Sequence, residues 1–170
     1  MIGRPQQSEV GAYYFRYIDQ VAGEDPLAVI ESQLEESLAL FSGISEERSL
    51  YRYAPEKWSI RLVLNHVNDV ERAFAFRAHW FGRGFPAPLP SYDHNLAALR
   101  AEADRISWAS HVEEFRSVRL ATISLFANLP PEGWMRSGIA GDNPFTVRAL
   151  AFIIPGHVAH HVKILRERYL

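Results

Sequence analysis

The stretch IIPGHVAHHVKILRERY, Ile153–Tyr169, places three histidines in five positions of a segment whose apolar residues otherwise keep the period of a core helix. His157 and His161 are four apart, so they lie one above the other on one helix face. Leu150, Ile153, Ile154, Ile164 and Leu165 fall around the same face, which predicts that both imidazoles point inward. Taken alone, such a pair reads as core histidines hydrogen-bonded to neighbours. Pro155 removes a backbone bond to Ala151 and predicts a local kink, either a tolerated packing bend or a device that aims His157.

Outward from this segment, three more stretches carry helical spacing, separated by loops rich in Pro and Gly. In DPLAVIESQLEESLALFSGI, Asp25 is placed to cap and Pro26 to open the first turn, with Leu27, Ile30, Leu34, Leu38 and Phe41 forming one stripe. In KWSIRLVLNHVNDVERAFAFRAHWF, Ser59 is the cap, and Gly82 and Gly84 end the helix. SHVEEFRSVRLATISLFAN stops at Pro130-Pro131. The main helices are therefore predicted over 25–44, 59–82, 110–128 and 146–169, preceded by an N-terminal arm or short helix over 1–24. No run alternates convincingly as a strand, and no repeat or composition break divides the chain. The fold class predicted is all-α, a single domain over 1–170 built as an antiparallel four-helix bundle with long connecting loops.

His66 falls within the inward arc of Ile60, Val63, Val67, Val70 and Phe74 on the second long helix. Three imidazoles converging on one bundle interior each need a partner, and one divalent metal satisfies them together. His66, His157 and His161 are thus the candidate metal ligands. Three protein ligands with an open position resemble a catalytic centre, and imidazole suits zinc, nickel, copper or iron. The pattern is neither HExxH, since Val158 takes the Glu place, nor HxxEH, since His160 does. Glu-x-x-His di-iron motifs, a G-x-S-x-G elbow and a phosphate-cradling glycine loop are also missing from the sequence. No side chain of the chain itself is assigned as the catalytic group.

Composition narrows the function classes further. The 170 residues are 48% apolar and 22% charged, ordinary globular usage with enough chain for a sizeable core. A net charge of -2 offers no broad positive field, which argues against nucleic acid and acidic membrane surfaces as partners. The N-terminal residues have no apolar signal-like run, so a cytoplasmic location is expected. With no cysteine, disulfides, thiolate metal sites and a cysteine nucleophile are excluded.

Other residues take weaker readings. His160 flanks the pair, and His79, His94 and His111 read as surface or packing residues. Asp93 in SYDHN could accept a hydrogen bond at the mouth of the site or cap the turn that follows. Glu71 and Arg77 lie near the inward arc, where a structural pairing that involves Arg119 is expected. Trp58 and Trp134 read as packing at bundle ends, and the basic KILRERYL suits a helix C-terminus.

YRYAPEKWSIRLVLNHVNDVERAFAFRAHWFGRG, LPSYDHN and VRALAFIIPGHVAHHVKILRERY resemble the DinB/YfiT-like superfamily, in order across almost the whole chain. In that family a KWS turn leads into the helix of the first metal histidine and a last helix supplies an HxxxH pair, positions matched here by His66, His157 and His161. Pro155 departs from the pattern, in which a residue that continues the helix is more usual. The resemblance implies a four-helix bundle, often a homodimer, with one divalent transition metal, nickel or zinc first and iron or manganese next. It also implies a small-molecule substrate, handled either by hydrolysis with metal-activated water or by S-transfer from a low-molecular-weight thiol, the route that the characterised relatives favour. The contrasting class is a non-catalytic, stress-related bundle in which the metal is a structural clip.

Overall fold

The computed structural model describes residues 2–170. Its helices are α1 (Phe15–Ile18), α2 (Pro26–Ser42), α3 (Ile60–Gly82), α4 (His94–Arg100), α5 (Trp108–Ala127) and α6 (Val147–Ile164), the last extended by a wider turn over Leu165–Tyr169. Their starts are set by local chemistry. Asp25 accepts from Leu27 and Ala28 with Pro26 at the first position of α2, Ser59 accepts from Leu62, Ser107 from Ser110 and Thr146 from Ala149. Each cap satisfies amide donors that the first helical turn leaves without an intrahelical partner.

Four long helices, α2, α3, α5 and α6, form the bundle, but they are not arranged as an antiparallel up-and-down set. The Trp108 indole donates to the Phe41 carbonyl at 3.0 Å, so α5 begins where α2 ends, and these two run antiparallel. Asn68 reaches the His111 carbonyl and Glu71 reaches Arg119, so α3 and α5 run parallel. His66 meets His157, and Tyr169 donates to the Trp58 carbonyl, so α3 and α6 run antiparallel. Gln33 meets Pro155, while Arg48 just beyond α2 meets the Tyr169 carbonyl, so α2 and α6 run parallel. The ring order is α2, α5, α3, α6, with α2 opposite α3 and α5 opposite α6. The expected antiparallel bundle is thereby corrected to two antiparallel and two parallel neighbour pairs. Parallel neighbours need long returns, which is what the α4-containing connection over 83–107 supplies.

The helix-rich expectation holds, with one small sheet added. Ser137–Ala140 (β1) and Asn143–Thr146 (β2) form an antiparallel hairpin with Ala140 opposite Asn143. Its two-residue loop is Gly141-Asp142, and Gly141 has the positive φ, +59°, that such a loop demands. The hairpin ties distant pieces together. Leu89 donates to Ile139 and accepts from Gly141, both at 2.9 Å, and Val10 bridges to Phe145.

Two apolar clusters fill the bundle. One, around Phe41, Ile60, Leu64, Trp108, Phe115 and Leu165, lies where α3 and α5 begin; the other, around Ile18, Phe74, Phe81, Phe145, Phe152 and Ile153, lies at the opposite end. Between them runs a polar belt that visits all four helices. Arg119 of α5 is 0% exposed and pairs with Glu71 of α3 at 2.8 Å. It also donates to Gln33 of α2 at 3.2 Å, whose amide donates to the Pro155 carbonyl of α6 at 2.9 Å. The expected pairing with Arg119 thus falls to Glu71, not to Arg77.

α6 stays helical through Pro155, and α1 crosses it at the next residue. A Cβ at Gly156 would lie well inside contact distance of the Tyr17 backbone carbonyl, so only glycine lets α1 approach this closely. Gly156→Ala is expected to displace α1 and cost about 3 kcal/mol, read as a lowered denaturation midpoint. Arg119→Met, which leaves the Glu71 carboxylate buried without its cation, is expected to cost roughly 3–5 kcal/mol in the same urea titration, with Glu71→Met in addition restoring most of it.

Candidate metal centre

α3 and α6 bring His66, His157 and His161 together at the bundle waist. His157 Nε2 lies 3.2 Å from His66 Nε2 and 3.1 Å from His161 Nε2, and the three candidate ligand atoms all lie within 4.8 Å of one another. A neutral imidazole nitrogen carries either one proton or one lone pair, so His157 Nε2 cannot make two well-directed hydrogen bonds to its neighbours. One cation facing three lone pairs removes the conflict. Ligand nitrogens about 2.0–2.1 Å from a tetrahedral metal stand roughly 3.3 Å apart, close to the two short separations found. The donor set therefore fits a divalent metal.

Electrostatics keeps the rings in the ligand form. Burial lowers His66 to about 4, aided by the facing His94 and His160. Burial, with the charges of His66, His160 and His94, lowers His161 to about 3. His157 is depressed well below the ordinary imidazole value, first by burial and then by His161 and His66. All three are neutral near pH 7, the state in which imidazole binds metal.

Neighbouring rings hold the cluster in place. Trp58 packs on His66 with centroids 5.0 Å apart, so it borders the centre and does more than fill a bundle end. Tyr17, carried on α1, meets His157 edge-on at 5.2 Å. Trp134 stacks on Phe126, away from the cluster. His160 packs on Tyr17 beside the cluster, and His111 is fully buried with Nε2 2.9 Å from the Ala103 carbonyl. Asp93 caps α4, accepting from Asn95 and Leu96 at 3.0 and 2.9 Å, and does not line the cavity described next.

A cavity of about 280 Å³ reaches the centre, with His66 and His157 at one part of its wall. Along α3 it continues over Val70, Ala73, Phe74 and Arg77; across from these stand Tyr13, Tyr14 and Tyr17, with the hairpin turn closing one side. His94, exposed at the start of α4, also lines it, its ring 5.6 Å from that of His66. The sequence did not single out the three N-terminal tyrosines or His94 for this site. The tyrosines arrive through the α1–α6 crossing, whose local signal is Gly156 beside the histidine pair.

In the unfolded chain these histidines titrate near 6.5, whereas in the metal-free folded chain they resist protonation until about 4 or 3 for His66 and His161. Below pH 6.5 the unfolded state binds more protons, so the stability these groups contribute is complete above that value and declines as pH falls. Metal-stripped protein is expected to lose up to about 1.4 kcal/mol per pH unit for each histidine in this window. Urea midpoints between pH 8 and 4.5 read the decline, and His161→Gln should make it shallower.

The sequence matches the DinB superfamily over residues 30–165. No functionally curated protein matches the chain. Among solved structures it is similar to YfiT from Bacillus subtilis, described as "a probable metal-dependent hydrolase with an unusual four-helix bundle topology". The two share 16% identity with a TM-score of 0.68, covering 96% of this chain and 91% of that one, a likeness of fold. With the matched region covering most of α2, the whole of α3, α5 and α6, and the three histidines, the chain belongs to the DinB superfamily.

Proposed function

We propose that the protein is a divalent-metal-dependent enzyme that hydrolyses a small molecule, with His66, His157 and His161 as the metal ligands. The observation that carries this reading is the convergence of three neutral, desolvated imidazoles at the wall of a cavity. A metal held by three imidazoles supplies a Lewis acid and activates water near neutral pH. A structural clip normally has four protein ligands, whereas among the described residues this group has three, two of them facing the cavity. Zinc and nickel suit the donor set, and the description of YfiT lends support to hydrolysis.

The remaining residues orient and shield. Trp58 and Tyr17 fix the planes of His66 and His157, while Val70 and Phe74 exclude water along the α3 wall. Burial pushes the Tyr17 phenol up, so it stays protonated and serves as a donor. His94 stands at the opening, where an imidazole can carry a proton to or from a substrate. A cavity of about 280 Å³ has room for a small molecule beside the histidines. S-transfer remains the alternative chemistry at the same centre, with the sulfur brought in as cosubstrate because the chain has no cysteine.

Metal content by mass spectrometry on untagged protein tests the ligands. The wild type is expected to carry about one equivalent of transition metal, lost in His66→Ala and His161→Ala. Ester hydrolysis that is chelator-sensitive and independent of added thiol supports the hydrolytic branch; turnover only with thiol assigns S-transfer instead. A wild type that takes up neither zinc, nickel, iron nor manganese would sink both.

A further inference from the structure

Arg77 is a cation in the cavity wall, on the same face of α3 as His66. It is 7% exposed, yet among the described residues it forms no ion pair. Its guanidinium lies over the Phe74 and Phe145 rings, 5.5 and 5.4 Å from their centroids, and faces the Tyr14 phenol. The rings hold the plane of the fork but carry no net negative charge. Burial lowers the Arg77 pKa and raises that of Tyr14, so Tyr14 is a neutral donor and no counter-ion. The cavity's carboxylate, Asp142, is exposed and is not within ion-pair distance. The guanidinium borders the cavity, so the acid of a bound ligand can reach it, and the attraction strengthens as the ligand displaces water.

We propose that Arg77, with the Tyr14 hydroxyl, anchors a carboxylate on the substrate, so that the enzyme acts on small carboxylic acids whose reacting bond lies toward the histidine cluster. The spacing along α3 fits two ends of one molecule. Arg77 follows His66 by about three helical turns, on the same face and roughly 16 Å further along the axis. Both side chains lean toward the N-terminus of α3, and the longer arginine reaches further back, which takes a few ångströms at most off that span. A planar fork flanked by one phenol donor matches a planar monoanion; a phosphate dianion would call for more than one cation. Val70, Ala73 and Phe74 line the interval, so the middle of the substrate is apolar. This names a substrate class for the metal-dependent reading and rests on it for the chemistry, but the anchor can be tested without metal.

Binding of 4-phenylbutyrate, its neutral amide 4-phenylbutanamide, and inorganic phosphate to metal-stripped protein, by calorimetry at pH 7.5, provides the test. The acid is expected to bind the wild type at least about tenfold more tightly than the amide, a difference of about 1.4 kcal/mol. Arg77→Gln should erase that preference, and Arg77→Lys should keep part of it. Equal binding of acid and amide, no binding of the acid, or phosphate binding as tightly as the acid would overturn the proposal, and none of these depends on an Arg77 variant folding. If the acid preference holds in a protein that takes up no metal, the anchor stands and the metal reading fails. If metal binds but the preference is absent, the reverse follows.

Discussion

Arg119 is the residue on which the arrangement of the bundle turns. Its fully buried guanidinium pairs with Glu71 and contacts Gln33, and Gln33 in turn holds the Pro155 carbonyl, so one polar chain crosses α3, α5, α2 and α6. Apolar side chains tolerate small slides of one helix on another, whereas a desolvated ion pair does not, because any slip leaves a buried charge without its partner. The belt meets α6 two residues before His157. Helix register and the position of the histidine cluster are therefore tied to the same contacts.

The site combines two binding features in one cavity. At one end three imidazoles converge as a donor set for a metal; further along the wall lies Arg77, which among the described residues forms no ion pair. Polar groups gathered in a largely apolar setting are costly to desolvate, and a bound ligand offsets that cost. The apolar residues between them, together with aromatic rings from the N-terminal segment, keep both ends partly dry, which strengthens any charge interaction formed there. The N-terminal segment thus belongs to the site as much as to the fold. It is held by Glu9, which accepts from Thr146 and Arg148 at the start of α6, and by Arg4, which donates to the carbonyls of Ile18 and Val21.

The histidine cluster was legible because the helical period is exact enough to place His157 over His161 and to put His66 on an inward arc. The caps at Asp25 and Ser59 were legible for the same local reason. Bundle handedness of connection was not, since segments such as 43–59 and 128–146 are long enough to reach either an adjacent or a diagonal helix. The hairpin did carry a signal, the Gly141-Asp142 pair, but its strands are four residues long, include Pro144 and Gly138, and show little alternation. Arg77 was visible as an inward charge. That it forms no ion pair among the described residues was not, because this depends on what the N-terminal segment and the hairpin bring to the cavity wall.

The diagonal placement of successive helices also shapes how the chain reaches this state. In an up-and-down bundle, neighbours in sequence dock as hairpins, and each docking event closes only a short loop. Here α2 cannot dock on α3, nor α5 on α6; each must wait for a partner two or more elements away. The loop-closure entropy of those long segments is incurred before the burial that offsets it. The helix contacts therefore join segments further apart in sequence than those of an up-and-down bundle, although almost every hydrogen-bonded turn is local.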